Sequence, residues 1–187
     1  MNDNIVSQFQ KKLESLAGIV HPVSGLDEAA DQVFSILQEK KTEKAALSEL
    51  PGDFSRILDQ KITTESLDLL KPPFNNADLP EAFNTIQAGI SWAAFAIAET
   101  GAIVEFATDD AMRLVTALPL VHISLLHASD LVATLKEAAA PIRKFYEENP
   151  LNATVSFISG PSRTADIEMR LILGVHGPAE THVIIVN

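Results

Sequence analysis

The sequence predicts an α/β protein built on an open, mostly parallel sheet with flanking helices and a helical amino-terminal segment. Short apolar runs alternate with amphipathic segments, the pattern of strand and crossover helix. Of the 187 residues, 47% are hydrophobic and 21% charged, enough apolar matter for a sizeable core. The most apolar stretch, 88–98, ends at Glu99, short of the roughly 20 residues that a membrane span needs.

Ile5, Val6, Phe9, Leu13 and Leu16 recur at helical spacing and predict an amphipathic helix to about residue 17. After Gly18, Ile19 to Val23 reads as a strand. Ser24-Gly25-Leu26-Asp27-Glu28 then opens a helix with Ala29, Ala30, Val33, Phe34 and Leu37 on one face. From Lys40 to about Pro80 the composition turns polar, and Pro51-Gly52 and Lys71-Pro72-Pro73 interrupt short helical pieces. Residues 1–80 are therefore expected to form a mostly helical first portion, without a sharp boundary, of one structural domain whose core is 81–187.

In that core, Ile86 to Ile90 reads as a strand, Ser91 to Thr100 as a helix of small residues and Ala102 to Phe106 as a strand. A short helix stops at Pro119, and Leu120 to Leu126 is an apolar run of buried-strand type. Asp130 to Tyr146 has helical periodicity, with a kink or break expected at Pro141. Thr154 to Ile158 is a β-branched strand. Ala165 to Leu173 alternates apolar residues with Asp166, Glu168 and Arg170, which predicts one helical turn and then a half-buried strand. His182 to Val186 closes the chain as a strand.

Lys and Arg number 14 against 25 Asp and Glu, a formal charge of −11, and no basic run exceeds a pair such as Lys40-Lys41 or Arg143-Lys144. A surface of this sign repels phosphate backbones and argues against a nucleic-acid partner. With no cysteine the chain holds no disulfide, thiolate nucleophile or cysteine-ligated cluster, so any iron–sulfur carrier must sit on a partner. The first residues, Met1-Asn-Asp-Asn-Ile-Val, lack a basic targeting region, and the expected compartment is the cytoplasm.

Ser159-Gly160-Pro161-Ser162-Arg163-Thr164 follows a strand and offers backbone N–H groups, hydroxyls and a guanidinium able to grip a carboxylate or phosphate. The alternative is a tight turn ordered by Arg163 pairing with Asp166 or Glu168. In Gly174-Val175-His176-Gly177-Pro178 the glycines allow close approach of a ligand, and His176 is either a proton shuttle or a structural hydrogen-bond partner. Glu99, in Ala98-Glu99-Thr100-Gly101, is a base, nucleophile or ligand contact on one reading and an exposed helix-end carboxylate on the other. His122 with His127, and His176 with Glu180 and His182, match no zinc spacing, and no bound metal is expected. G-x-x-x-x-G-K-[ST], G-x-G-x-x-G and G-x-S-x-G are all absent, which argues against a conventional nucleotide site or serine elbow.

Ile158-Ser-Gly-Pro-Ser-Arg-Thr-Ala-Asp-Ile-Glu168, Leu173-Gly-Val-His-Gly-Pro178 and His182-Val-Ile-Ile-Val186 together resemble the LUD (lactate utilisation) domain family. Ala88-Gly-Ile-Ser, Ala98-Glu-Thr-Gly101 and Leu118-Pro-x-x-His122 are similar to earlier motifs of that family in the same order, so the resemblance covers about residues 83–187. The cysteine-free chain looks like the family's small stand-alone members rather than the larger ones carrying ferredoxin-type motifs. The resemblance implies a NagB/RpiA/CoA-transferase-like fold and a part in oxidising L-lactate to pyruvate with iron–sulfur partner subunits. By motif position it implies catalytic roles for Glu99 and His176. It also implies a small anionic ligand held among Thr100, Gly101, His122, Gly160, Ser162, Arg163, Thr164, Asp166, Gly174 and Gly177. It names no cofactor and leaves a homo-oligomer open. Two other readings stand beside it: an independent enzyme on an acyl, sugar-phosphate or folate-like substrate using Glu99 and His176, and a non-catalytic scaffold that docks an iron–sulfur subunit through its amino-terminal helix.

Overall fold

Alternation of side chains along five central strands decides the layering of this protein, seen in a computed structural model that describes residues 2–62, 67–74, 79–164 and 172–187. The strands β1 (Ile19–Val23), β2 (Lys44–Leu47), β4 (Ala88–Trp92), β7 (Val121–His127) and β12 (Glu180–Val186) join the short β3 (Asp68–Leu70) in a six-stranded sheet ordered β1-β12-β7-β4-β2-β3. Every neighbouring pair in it is parallel. Its central strands are buried on both faces, as in a sheet covered on both sides.

Helices α2 (Leu26–Glu39) and α3 (Gly52–Ile62) cover one face, where Val33, Leu37, Phe54 and Leu58 meet Ile90, Ile123, Leu125 and Ile184. The start of α2 is fixed by Glu28, whose carboxylate accepts from the Ser24 backbone N–H at 2.8 Å and the Ser24 hydroxyl at 2.5 Å. A second, four-stranded sheet covers the other face, in the order β8 (Leu131–Val132), β5 (Phe95–Ile97), β6 (Ala102–Ala107), β9 (Thr154–Ile158). Ile103, Ala96 and Ala98 of this sheet face Leu126, Val183 and Ile185 of the first. Its outer face packs Phe95, Ile97 and Val104 under α6 (Leu135–Glu148), where the Phe106 and Phe145 rings stack 4.2 Å apart. At the margins of this inter-sheet layer sit α1 (Asn2–Glu14), which inserts Phe9 and Leu13, and α5 (Asp110–Ala117), capped by Asp109 accepting from Ala111 N–H at 2.6 Å. Between α3 and β4, the five-residue α4 (Leu79–Phe83) packs Leu79 and Phe83 beside Ala111 and Val115 of α5.

Three expectations need correction. Residues 91–100 form no helix: β4 continues through Trp92 and β5 follows at Phe95–Ile97. The order Phe95-Ala96-Ile97-Ala98 alternates large with small, with the alanines toward the closely approaching first sheet and the large residues toward α6, which is strand periodicity. Pro141 does not end its helix, because α6 runs unbroken from Leu135 to Glu148 with Pro141 inside it. The polar region 40–80 holds the strands β2 and β3 in addition to helix; at four and three residues they are too short to show periodicity. The helix-rich first eighty residues thus supply three strands of the main sheet. Residues 163–164 form β10 (Arg163–Thr164), paired antiparallel with β11 (Ile172–Leu173). The rest of the expected turn and alternating strand over 165–171 lies outside the described residues.

Candidate functional site

Gly160 turns the chain after β9 with φ +100°, and there the backbone passes so close to the end of α1 that a Cβ would stand 2.5 Å from the Leu16 carbonyl oxygen. Only glycine meets both conditions. The Ser162 N–H then donates to the Pro178 carbonyl at 2.8 Å and the Gly174 N–H to the Ser162 carbonyl at 2.9 Å, which ties the 160–164 segment to the 174–178 turn. The two segments enclose a hollow of about 290 Å3 bordered by Ser156, Gly160, Ser162, His176, Gly177 and Thr181. Arg163 does not border it but lies close by, with one guanidinium nitrogen 3.6 Å from where a Gly160 Cβ would be. His176 is exposed at the mouth. A serine hydroxyl and an imidazole at one opening, with a guanidinium close by, form a set suited to a carboxylate or phosphate.

The hollow opens near the amino ends of β7 and β12, not at the carboxyl ends of the parallel strands, because β9 belongs to the second sheet. Its floor is Thr181, 1% exposed, whose hydroxyl oxygen has no hydrogen-bond partner among the described residues. Thr181 is the register partner of the fully buried His122, which stands on the same face of the sheet and whose Nδ1 is also unpartnered.

Behind these two lies a polar cluster between the sheets. Ser91 Oγ stands 2.9 Å from His122 Nε2 and donates to Glu105 Oε1 at 2.6 Å, and Ser124 Oγ donates to the same oxygen at 2.9 Å. Because the Ser91 proton goes to Glu105, Ser91 accepts from His122 Nε2–H, so this tautomer leaves Nδ1 as a bare acceptor. Burial pushes the Glu105 carboxyl above the usual carboxylate range, the two serine hydroxyls opposing it. Burial, helped by His182, pushes His122 down to about 4. The sequence reading named His122 but not Glu105, Ser91, Ser124 or Thr181. The available signal was an acid inside the apolar run Ala102 to Ala107, since a carboxyl buried in a strand needs hydrogen-bonding partners.

Glu99 follows β5 and is exposed; its Oε2 accepts from Leu135 N–H at 3.0 Å, at the amino end of α6. It is not among the residues bordering the hollow. Thr100 is half-buried beside it, with its hydroxyl 3.5 Å from the Ile97 carbonyl, and Gly101 packs against Lys12 and Leu13 of α1. Thr164 lies in the β10–β11 hairpin, and Asp166 is outside the described residues. Another titratable chain runs on the α2 side of the sheet. Lys40 Nζ contacts the Glu180 carboxylate at 2.7 and 2.9 Å, Glu180 lies 3.3 Å from His182 Nε2, and His182 Nδ1 lies 3.0 Å from His21 Nε2. Burial lowers both histidines below their ordinary value, and the Lys40 hydrogen bond lowers Glu180. Among the described residues no three His, Asp or Glu side chains are grouped to hold a metal, and no helix is long and apolar enough to cross a membrane.

Known proteins similar to this chain agree with that architecture. Lactate utilization protein C of Shouchella clausii is 40% identical over 99 residues, 53% of this chain and 43% of that protein. The protein of the same name in Geobacillus sp. strain WCH70 is 38% identical over 113 residues, 60% of this chain and 46% of that one. The Bacillus subtilis protein of that name is 35% identical over 100 residues, 53% and 42%. Each match spans less than half of the relative's length. A DUF162 family protein from Deinococcus radiodurans, known from its crystal structure, superposes with a TM-score of 0.70 over 100% of this chain and 99% of that one at 20% identity, which shows a shared fold. The model of the LUD domain matches residues 6–186, nearly the whole chain, and the protein therefore belongs to the LUD domain family.

Proposed function

We propose that this chain is a component of a lactate utilisation system, taking part in the oxidation of L-lactate to pyruvate with iron–sulfur partner subunits, and that it binds a small anionic ligand in the hollow beside the 160–164 loop. The names of its relatives support the system, and one observation supports the ligand. Ser162 and His176 border a single opening with the Arg163 guanidinium close by, on a chain whose formal charge is −11. A fixed cation in an acidic surface is where an anion is held. Removing two electrons and two protons from lactate requires an electron acceptor, and a chain without cysteine leaves that part to iron–sulfur clusters on the partner.

In this reading Arg163 and Ser162 hold the anionic group. His176, solvent-exposed at the mouth, takes up a released proton. Gly160, Gly174 and Gly177 let the two loops close around the ligand, Thr164 extends the short strand that carries Arg163, and Asp166 is a further contact to the ligand. Glu99, through its hydrogen bond to Leu135 N–H, orients the start of α6.

The test is lactate-dependent dye reduction by the reconstituted subunits with and without this chain. A rate that falls without it, and falls again with Arg163→Ala while the subunits still assemble, supports the proposal. Equal rates with and without the chain overturn it.

A further inference from the structure

The layer between the two sheets is bordered by α1 on one side and lies open on the other, where β9 faces α5. Ser156 is the register partner of Glu105 and points inward with it. Along this edge a second opening adjoins the hollow: a cleft of about 30 Å3 bordered by Glu105, Trp92, Met112 and Arg113. Thr116 and Ser156 border both. The far end of the cleft is Ser48 and Glu49, at the carboxyl end of β2, which also border a cavity of about 470 Å3. Carboxyl ends of parallel strands are where open α/β sheets hold ligands.

We propose that the hollow and the cleft are one groove for an elongated ligand, with an anionic group beside Arg163 at one end and an uncharged hydrogen-bond donor, a hydroxyl or amide N–H, on Glu105 at the other. The anionic end rests on the small-anion reading above; the Glu105 end does not. Glu105 is only 7% exposed and borders the cleft, so a group entering there meets the carboxyl directly. The cleft admits a group the size of a hydroxyl or amide and excludes a ring. Four residues of nearly extended chain separate Ser156 from Gly160, about 13 Å, so a three-carbon acid cannot reach both ends.

Trp92 is the only tryptophan in the chain and borders the cleft, which makes it a reporter for that end alone. The probes are terminal-hydroxy carboxylates from hydroxybutyrate to hydroxydecanoate, each paired with the alkanoate that lacks the hydroxyl, with binding followed by calorimetry and Trp92 emission. Affinity is expected to rise with length. The members long enough to span the groove should bind about tenfold more tightly than their alkanoates, the size of one net hydrogen bond, and should shift Trp92 emission. Met112→Phe, which borders the cleft and not the hollow, should remove that advantage and leave hydroxybutyrate binding unchanged, whereas Arg163→Ala should weaken the whole series. If short members bind but length gives no gain, or Trp92 stays silent while long members bind, the groove is overturned and the small-anion reading survives. If neither hydroxybutyrate nor inorganic phosphate binds, both fall.

Discussion

The two faces of the six-stranded sheet are made from alternate residues of the same strands, yet they are chemically unlike. Toward α2 and α3, the centre of the sheet presents Ala88, Ile90, Ile123, Leu125, Ile184 and Val186, closed by Phe54 and Leu58. Toward the second sheet the same strands present Gly89, Ser91, His122, Ser124 and Thr181, with Glu105 opposite. The first face supplies cohesion, since apolar burial contributes about 25 cal/mol per Å2 and needs no partners. The second buries groups that cost free energy unless each finds a partner, and two of them, on Thr181 and His122, have none. The helix-covered face therefore supplies cohesion, and the other face buries the polar groups of the strands.

The largest test of that contrast is Phe54→Ala. Phe54 is fully buried and packs against Trp92 with ring centroids 5.4 Å apart. Its truncation should cost about 3–5 kcal/mol, read as a lower urea midpoint at unchanged slope. A cost below about 1 kcal/mol would mean that cohesion lies elsewhere.

Next in size is the acid limb of stability. His122 sits at about 4 in the folded protein against 6.5 unfolded. Below pH 6.5 the unfolded chain takes up a proton that the folded one refuses, so stability falls as pH drops from 6.5 towards 4 and levels below that, by about 3 kcal/mol from this residue. The half-buried His21 and the buried His182 are shifted the same way and steepen the same limb. His122→Gln should be less sensitive than the parent between pH 7 and 4.5 in paired urea titrations. Parallel curves would show that His122 titrates as if exposed.

Ser91→Ala should cost less than Phe54→Ala, about 1–3 kcal/mol, because it removes a hydroxyl that serves both His122 and Glu105 without opening a large cavity. Measured in the same titration, a loss equal to that of Phe54→Ala would erase the distinction between the faces.

How much of this was legible depends on which interactions sequence neighbours report. Ile19 to Val23, Leu120 to Leu126 and His182 to Val186 announce strands because each is short and dominated by β-branched and other apolar residues, and Ala29 to Leu37 announces a helix because one face repeats. Residues 93–98 read as helix by their alanine content, although Phe95 and Ile97 alternate with Ala96 and Ala98 at the period of a strand. Alanine there answers the approach of a second sheet, which sequence spacing does not encode. Similarly, Gly160, Ser162, His176 and Gly177 could be singled out as a loop chemistry, while Thr181 and Glu105 could not. Both sit inside strands, and only the pairing of β7 with β12 and of β6 with β9 puts them behind that loop.

The smallest expected effect is the sharpest probe of the polar face. Burial raises the Glu105 pKa, so the folded protein keeps a proton that the unfolded chain has already lost. Stability accordingly declines as pH rises above the ordinary carboxylate value and levels once the raised value is passed. Glutamine matches the protonated acid in shape and charge and still accepts from Ser91 and Ser124. Glu105→Gln should therefore lie within about 1 kcal/mol of the parent at pH 7, with that decline gone. Glu105→Leu strands both serine hydroxyls and should cost about 2 kcal/mol more. The comparison of the two variants across pH isolates the carboxyl proton from the packing of the side chain. If glutamine is as damaging as leucine at pH 7, Glu105 is held as a carboxylate, and the polar face stores a charge instead of a proton.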